Sequence, residues 1–188
     1  PHTTASGFHW IEPPTGHAWA DPFGFEHEGK HWLFFEDYSY ETMRGRIACV
    51  EISEDGKVRG ASLVCLENSH CHYSYPHVFR AGSEIFMIPE SFESKSVSLP
   101  RFPNEWVHDS VLMHGRFVDT TLWQVEDLWW LATTSAEPAP GAGFLWLYYS
   151  SSPKGTWRFH PANPISTDIR TSRSAGRVFR HDHQLIRP

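Results

Sequence analysis

The sequence is short of cysteine. It has three in 188 residues, Cys49, Cys65 and Cys71, an odd number too small for a disulfide framework. The simplest reading of the three is as small, mostly buried thiols. Nowhere does an apolar run approach the roughly 20 residues that a membrane-crossing helix requires, so insertion into a bilayer is not expected. No stretch resembles a signal peptide, which together with the odd cysteine count favours a cytoplasmic address. Positive charge is also scarce: 16 Lys and Arg stand against 22 Asp and Glu, a formal net charge of -6. Nucleic-acid binders and membrane-surface proteins carry a basic face, and neither class fits that balance. Helical periodicity is missing as well, because Pro and Gly interrupt nearly every window long enough to show it.

Aromatic residues are abundant. Nine Trp and thirteen Phe help make up an aromatic share of 15%, and so many rings demand a packed interior or a stacking surface, which excludes a disordered chain. The length suffices for one domain, residues 1–188, with a sizeable core.

An internal repeat organises these rings. The segment from Phe25 to Glu36 reads as a strand, a polar turn and an aromatic-rich second strand, which is a hairpin pattern. Shifted by 54 positions, Phe25 meets Phe79, Trp32 meets Phe86, Leu33 meets Met87 and Glu36 meets Glu90. Shifted by 98, Phe25 meets Trp123, Trp32 meets Trp130 and Leu33 meets Leu131, with a turn at Glu126-Asp127. Shifted by 154, Phe25 meets Phe179 and the turn falls at His181-Asp182-His183. Between these copies lie further strand pairs. Ile47–Ile52 and Ala61–Leu66 flank an Asp55-Gly56 turn; Phe144–Tyr149 precedes a second strand near Trp157; Ser96–Leu99 and Trp106–Met113 form a weaker pair. Two hairpins per repeat give four strands, the unit of a propeller blade. The expectation is an all-β chain, a β-propeller of four-stranded antiparallel blades starting near Asp21, Tyr75, Asp119 and Ala175. The Pro-rich stretch from Glu137 to Gly143 is expected to be a loop inside the third blade. The fourth repeat stops after its first hairpin, about three and a half blades in. A further length of chain, a second copy or a partner chain would be needed to close such a ring and cover its free strand edge.

Several motifs carry a resemblance. Ala20-Asp21-Pro22-Phe23 with Leu33-Phe34-Phe35-Glu36 resembles the first blade of the five-bladed furanosidase-type propellers, glycoside hydrolase family 43 and the levansucrase and invertase group. Ser74-Tyr75-Pro76-His77-Val78-Phe79, Met87-Ile88-Pro89-Glu90-Ser91 and the run from Arg173 to Arg180 are similar to the propeller domain of plant glucosamine inositolphosphorylceramide transferases and bacterial relatives. The resemblance implies a five-bladed ring with a carbohydrate or glycoconjugate site at the mouth of its channel; no cofactor is expected. In family 43 the matching first-blade Asp is the general base, and the third-blade Asp orients substrate and tunes the acid. Asp21 and Asp119 match those positions. The family's general acid, a Glu opening the fourth blade, is replaced here by Arg173-Ser174-Ala175-Gly176-Arg177. Hydrolysis needs a second carboxyl group across the glycosidic bond, which leaves Glu90 or Glu36 to supply it. In the repeat register both are expected at a strand end, away from the ring axis.

Each candidate has a plainer reading. Asp21 precedes Pro22 and can satisfy turn N–H groups; Glu36 and Glu90 are repeat-equivalent and can share a structural hydrogen bond. Arg173 and Arg177 can bind a sugar phosphate or carboxylate, or can neutralise Asp21 and Asp119. Trp19, Tyr75, Trp123 and Trp129 are candidates for stacking on a sugar, whereas Trp32, Phe86 and Trp130 recur from blade to blade as packing rings. His70-Cys71-His72 and His181-Asp182-His183 have ligand chemistry without the spacing of a structural zinc site, and no metal is expected. Two functions follow: a glycosidase or transglycosidase acting on a glycoside in the channel, or a non-catalytic carbohydrate-recognition module serving a glycosyltransferase or formyltransferase.

Overall fold

The computed structural model describes residues 10–102, 107–136 and 143–188. The Pro-rich stretch 137–142 lies outside the described residues. Three four-stranded antiparallel sheets follow one another along the chain. The first holds β1 (His17–His27), β2 (Lys30–Ser39), β3 (Arg44–Ile52) and β4 (Val58–Leu66). The second holds β5 (Ser74–Ala81), β6 (Glu84–Glu90), β7 (Ser96–Phe102) and β8 (Val107–His114). The third holds β9 (Phe117–Val125), β10 (Leu128–Ser135), β11 (Leu145–Ser150) and the short β12 (Arg158–Phe159). A one-turn helix, α1 (Ile169–Ser172), leads to a fourth, two-stranded piece made of β13 (Phe179–His181) and β14 (Gln184–Ile186). Each sheet is a meander in strict sequence order, a β-propeller of about three and a half blades.

The hairpin turns explain the register. Glu28 and Gly29 in the first copy, and Asp182 and His183 in the fourth, all have positive φ. Two consecutive left-handed residues make the turn whose twist matches paired strands.

Strand alternation packs the blades face to face. In β5, Val78 turns toward the first blade and Phe79 toward the third; in β6, Ile85 and Met87 face the first blade while Phe86 and Ile88 face the third. The cluster between blades one and two joins Phe23, Phe34, Ile47 and Cys49 to Tyr75, Val78, Ile85 and Met87. The next joins Phe79, Phe86, Ile88 and Val97 to Leu122, Trp129 and Leu131. The two inner strands of the second sheet, β5 and β6, are thus buried on both faces, and each of their fully buried large apolar side chains contributes roughly 1.5–3 kcal/mol.

The inner strands share a backbone irregularity that fixes the site. The β1–β2 pairing shifts between Ala20 and Phe23, β5–β6 between Ser74 and His77, and β9–β10 between Ala132 and Thr134, opposite Val118 and Thr121. At each of these bulges one residue is left-handed: Asp21 (φ 50°), Tyr75 (φ 46°) and Asp119 (φ 52°). A bulge bends its strand and re-aims a side chain, and three occur at one register of the repeat. Ala175 departs from this pattern. It is not left-handed, its N–H donates to Pro188 O at 3.0 Å, and it is exposed.

Candidate functional site

The bulges place their residues within reach of one another. Asp21 Oδ2 accepts the backbone N–H of Tyr75 at 3.2 Å, so the first blade's bulge holds the second's. Glu90, the last residue of β6, accepts the backbone N–H of Asp119 at 3.0 Å and so holds the third. Asp119 in turn accepts a two-pronged pair from Arg173, Nε to Oδ2 at 2.5 Å and Nη2 to Oδ1 at 3.1 Å. A fork-on-carboxylate contact is the most directional ion pair available to a protein. The contacts run hand to hand from blade one to the fourth segment.

Glu90 and Glu36 both belong to this group. Their expected place away from the axis is corrected: each bulge adds a residue to the inner strand, so the facing of the paired strand cannot be counted by alternation from the bulge residue. Glu36 is almost buried, 9% exposed. Burial, and then repulsion from Asp21, push its pKa up to about 7. Glu90 is also pushed up to about 7, chiefly by burial; the Asp119 N–H opposes the rise and the Asp119 charge adds to it. Burial raises Asp21 too, with Asp119 adding to the shift. Asp119 thus acts on Asp21 and Glu90, and Asp21 on Glu36, which links four carboxyl groups from three blades, with Arg173 facing all of them but Glu36.

His72, whose motif with His70 suggests only ligand chemistry, joins the group as well. Its Nδ1 accepts the N–H of Gly45 at 3.0 Å. In the neutral ring the proton then sits on Nε2, which lies 3.1 Å from Glu36 Oε1. Gly45 permits this approach, since a Cβ there would stand 2.5 Å from Glu36 Oε1 and 2.6 Å from Tyr73 O. No short motif marks this pair in the sequence. Among the described residues, no group of three or more His, Cys, Asp or Glu is arranged to hold a metal ion.

Other candidates serve the framework. Tyr75, expected as a stacking ring, is 2% exposed and packs edge-on against Phe23 at 4.9 Å. Its hydroxyl lies 2.8 Å from Thr121 Oγ1 and accepts the Gly176 N–H at 3.1 Å, joining three segments. Burial pushes its pKa up to about 12. Trp19 lies against Phe35, ring centroids 4.2 Å apart, and its Nε1–H donates to Asp37 Oδ1 at 3.1 Å. Asp37 is also bound by His17 at 2.8 Å and by Arg46 Nε at 3.0 Å, a buried knot of the first blade that occupies the Trp19 indole N–H. Trp123 is half-buried at the repeat position of Phe25 and Phe79, both of which pack between blades. Trp129, 8% exposed, is core. Arg177 donates through Nη2 to Gly24 O at 3.1 Å and to Val78 O at 2.8 Å. It thereby ties the inner strands of blades one and two to the fourth segment, and burial lowers its pKa. Of the two arginines, Arg173 alone meets the carboxylates.

The comparisons extend this picture. The family model described as "Glucosamine inositolphosphorylceramide transferase 1, N-terminal" matches residues 12–188. The chain is 35% identical over 175 residues to glucosamine inositolphosphorylceramide transferase 1 of Arabidopsis thaliana, covering 89% of this chain and 23% of that protein. The rice counterpart (Oryza sativa subsp. japonica) is 34% identical over 176 residues, covering 90% and 24%. The chain thus spans about a quarter of the length of these curated relatives. Among solved structures, a family 43 β-1,3-galactosidase superimposes with a TM-score of 0.66 at 10% identity, covering 89% of this chain and 37% of that one. The exo-β-1,3-galactanase of Phanerochaete chrysosporium in complex with β-1,3-galactotriose gives 0.60 at 12% identity, covering 77% and 35%. The catalytic domain of the family 62 α-L-arabinofuranosidase of Coprinopsis cinerea gives 0.60 at 11%, covering 83% and 55%. At these identities the likeness is one of fold.

Proposed function

The chain belongs to the glucosamine inositolphosphorylceramide transferase 1 N-terminal family, and from that premise we propose that it binds a glycoside on the group formed by Asp21, Glu36, Glu90, Asp119 and Arg173, as the recognition module of a glycosyl-transferring protein. The ring is read as five-bladed, completed by chain beyond this segment or by a partner. The observation that carries the reading is the Arg173–Asp119 clamp, which occupies both oxygens of the third-blade acid. The fourth-blade position that an acid would fill is Ala175. Hydrolysis by two carboxyl groups poised across a bond is poorly served by that pairing, whereas a fixed array of acceptors and one guanidinium suits the hydroxyl-rich face of a sugar. Four carboxyl groups beside one arginine also favour a cationic amino sugar over a neutral one, in keeping with the glucosamine in the relatives' name.

A second reading has an observation of its own. Glu90, held near 7 by burial, is a competent general acid at neutral pH, and Asp21 would then be the base of a glycosidase. One experiment separates the two. The chain and its Asp21→Ala variant are assayed against a panel of aryl furanosides and pyranosides, while thermal unfolding is followed with glucosamine, N-acetylglucosamine and galactose. Recognition predicts a rise in melting temperature with sugar, largest for glucosamine, and no turnover. Turnover that disappears in Asp21→Ala establishes the glycosidase, and an unmoved melting temperature with no turnover removes both readings.

A further inference from the structure

Cys49 and Cys65 lie on neighbouring strands of the first blade with their sulfurs 3.4 Å apart. The local pairing brings them together. Ile47 pairs with Leu66 and Ala48 with Val64, so Cys65 is an extra residue in β4, a bulge opposite β3. Without that bulge, Cys65 would stand across from Ile47, whose buried side chain belongs to the same cluster as Cys49. Cys49 is buried and Cys65 half-buried against that cluster, so one thiol is reachable from water and the other lies behind it.

We propose that Cys49 and Cys65 form a reversible disulfide that fastens β4, the outermost strand of the first blade, to β3. The sulfurs need approach by little more than an ångström to reach bonding distance of about 2 Å, a displacement within the compass of side-chain rotation. The oxidant is a small-molecule disulfide of the glutathione type. The accessible Cys65 thiolate attacks one of its sulfurs and expels a first glutathione thiolate. The Cys49 thiolate then attacks the Cys65 sulfur and expels the second. Two protein thiols lose two protons and two electrons, and one glutathione disulfide becomes two thiols. The bond would close a loop of about 15 residues and restrict the unfolded chain, raising the melting temperature by on the order of 5–10 °C. This inference is independent of the sugar reading.

The test equilibrates the chain in glutathione buffers from reducing to oxidising poise, then alkylates and digests it without reductant. Under oxidising poise the expected result is a single alkylated cysteine, Cys71, with a cross-linked peptide pair containing Cys49 and Cys65 and a higher melting temperature. Cys71→Ser should behave the same with no residual thiol, and Cys65→Ser should lose the cross-link and the temperature shift. Three alkylated cysteines at every poise overturn the proposal, as does glutathione retained on Cys65 or a cross-link through Cys71. Because the wild-type thiol count and peptide map answer the question alone, the test does not depend on the variants folding.

Discussion

Arg173 grips both oxygens of Asp119 from 54 positions away, at 2.5 and 3.1 Å. The guanidinium side chain is 60% exposed and the carboxylate 6%, so water competes for the arginine and hardly for its partner. Arg173→Ala is therefore expected to cost about 1 kcal/mol, less than a fully buried pair would. Arg173→Lys should recover less than half of that, since an ammonium cannot bridge two oxygens. Urea unfolding of the three proteins at one pH measures this.

Glu36 gives the chain a pH dependence of definite sign. Its carboxyl titrates near 7 in the fold and near 4.5 when unfolded, so between those values the native state holds a proton that the unfolded state has released. Stability from this group is complete below about pH 4.5 and is lost as pH rises to about 7. Glu36→Gln keeps an acceptor for His72 and removes the titration. It should make the fall in stability between pH 5 and 7 shallower, the remainder belonging to Glu90, and leave the variant on the order of 1–3 kcal/mol more stable than wild type at pH 8. Unfolding curves taken every half pH unit decide it.

If a cationic sugar binds beside these acids, it must favour their ionised forms. Glucosamine binding near pH 6.5 should then release protons, and the apparent binding enthalpy should change with the ionisation enthalpy of the buffer. Galactose should show a smaller release or none. Calorimetry in phosphate and in an amine buffer reads the difference, and an equal enthalpy in both would count against the acid cluster as the binding site.

Gly45→Ala places a methyl group where Glu36 Oε1 and Tyr73 O already stand, at 2.5 and 2.6 Å. The carbonyl belongs to the backbone, so Glu36 cannot accommodate the change alone. The expected result is a loss of about 2 kcal/mol or more and a displaced Glu36. The displacement would show as a weakened pH dependence between pH 5 and 7, the same direction as in Glu36→Gln.

Tyr75→Phe keeps the ring in its buried slot and deletes the hydroxyl that meets Thr121 and Gly176. Leaving the Gly176 N–H without this acceptor should cost about 1–3 kcal/mol. With a tyrosine titrating near 12, the loss should be the same at pH 5 and pH 8. Thermal unfolding at both values provides the check.

The blades were legible in the sequence because their cause is local. Polar turns and alternating aromatics recur in each copy although the copies are 54, 44 and 56 residues apart, and Phe25, Phe79 and Trp123 sit where the repeat placed them. The facing of Glu36 and Glu90 was not legible. It depends on an extra residue at each bulge, and the phase shift that this causes is hidden because the bulges fall in short stretches, Ala20–Phe23 and Ser74–His77, with no regular alternation to interrupt. Tyr75 shares its register with two acids, and the repeat alone puts it beside them at the mouth. Its burial depends on Phe23 and Thr121, which are distant in sequence. The pairing of His72 with Glu36 has the same origin: two residues 36 positions apart meet only once β2 and the approach to β5 have packed. The helix α1, a single turn, is too short for any periodicity to announce it.

The kink shared by Asp21, Tyr75 and Asp119 separates scaffold from chemistry. Main-chain geometry aims whatever side chain occupies such a position, so an acid and a phenol can trade places there without rebuilding the sheet. Descendants of one propeller could gain or surrender a reactive group by a single codon change, and relatives that look alike in outline need not share an activity.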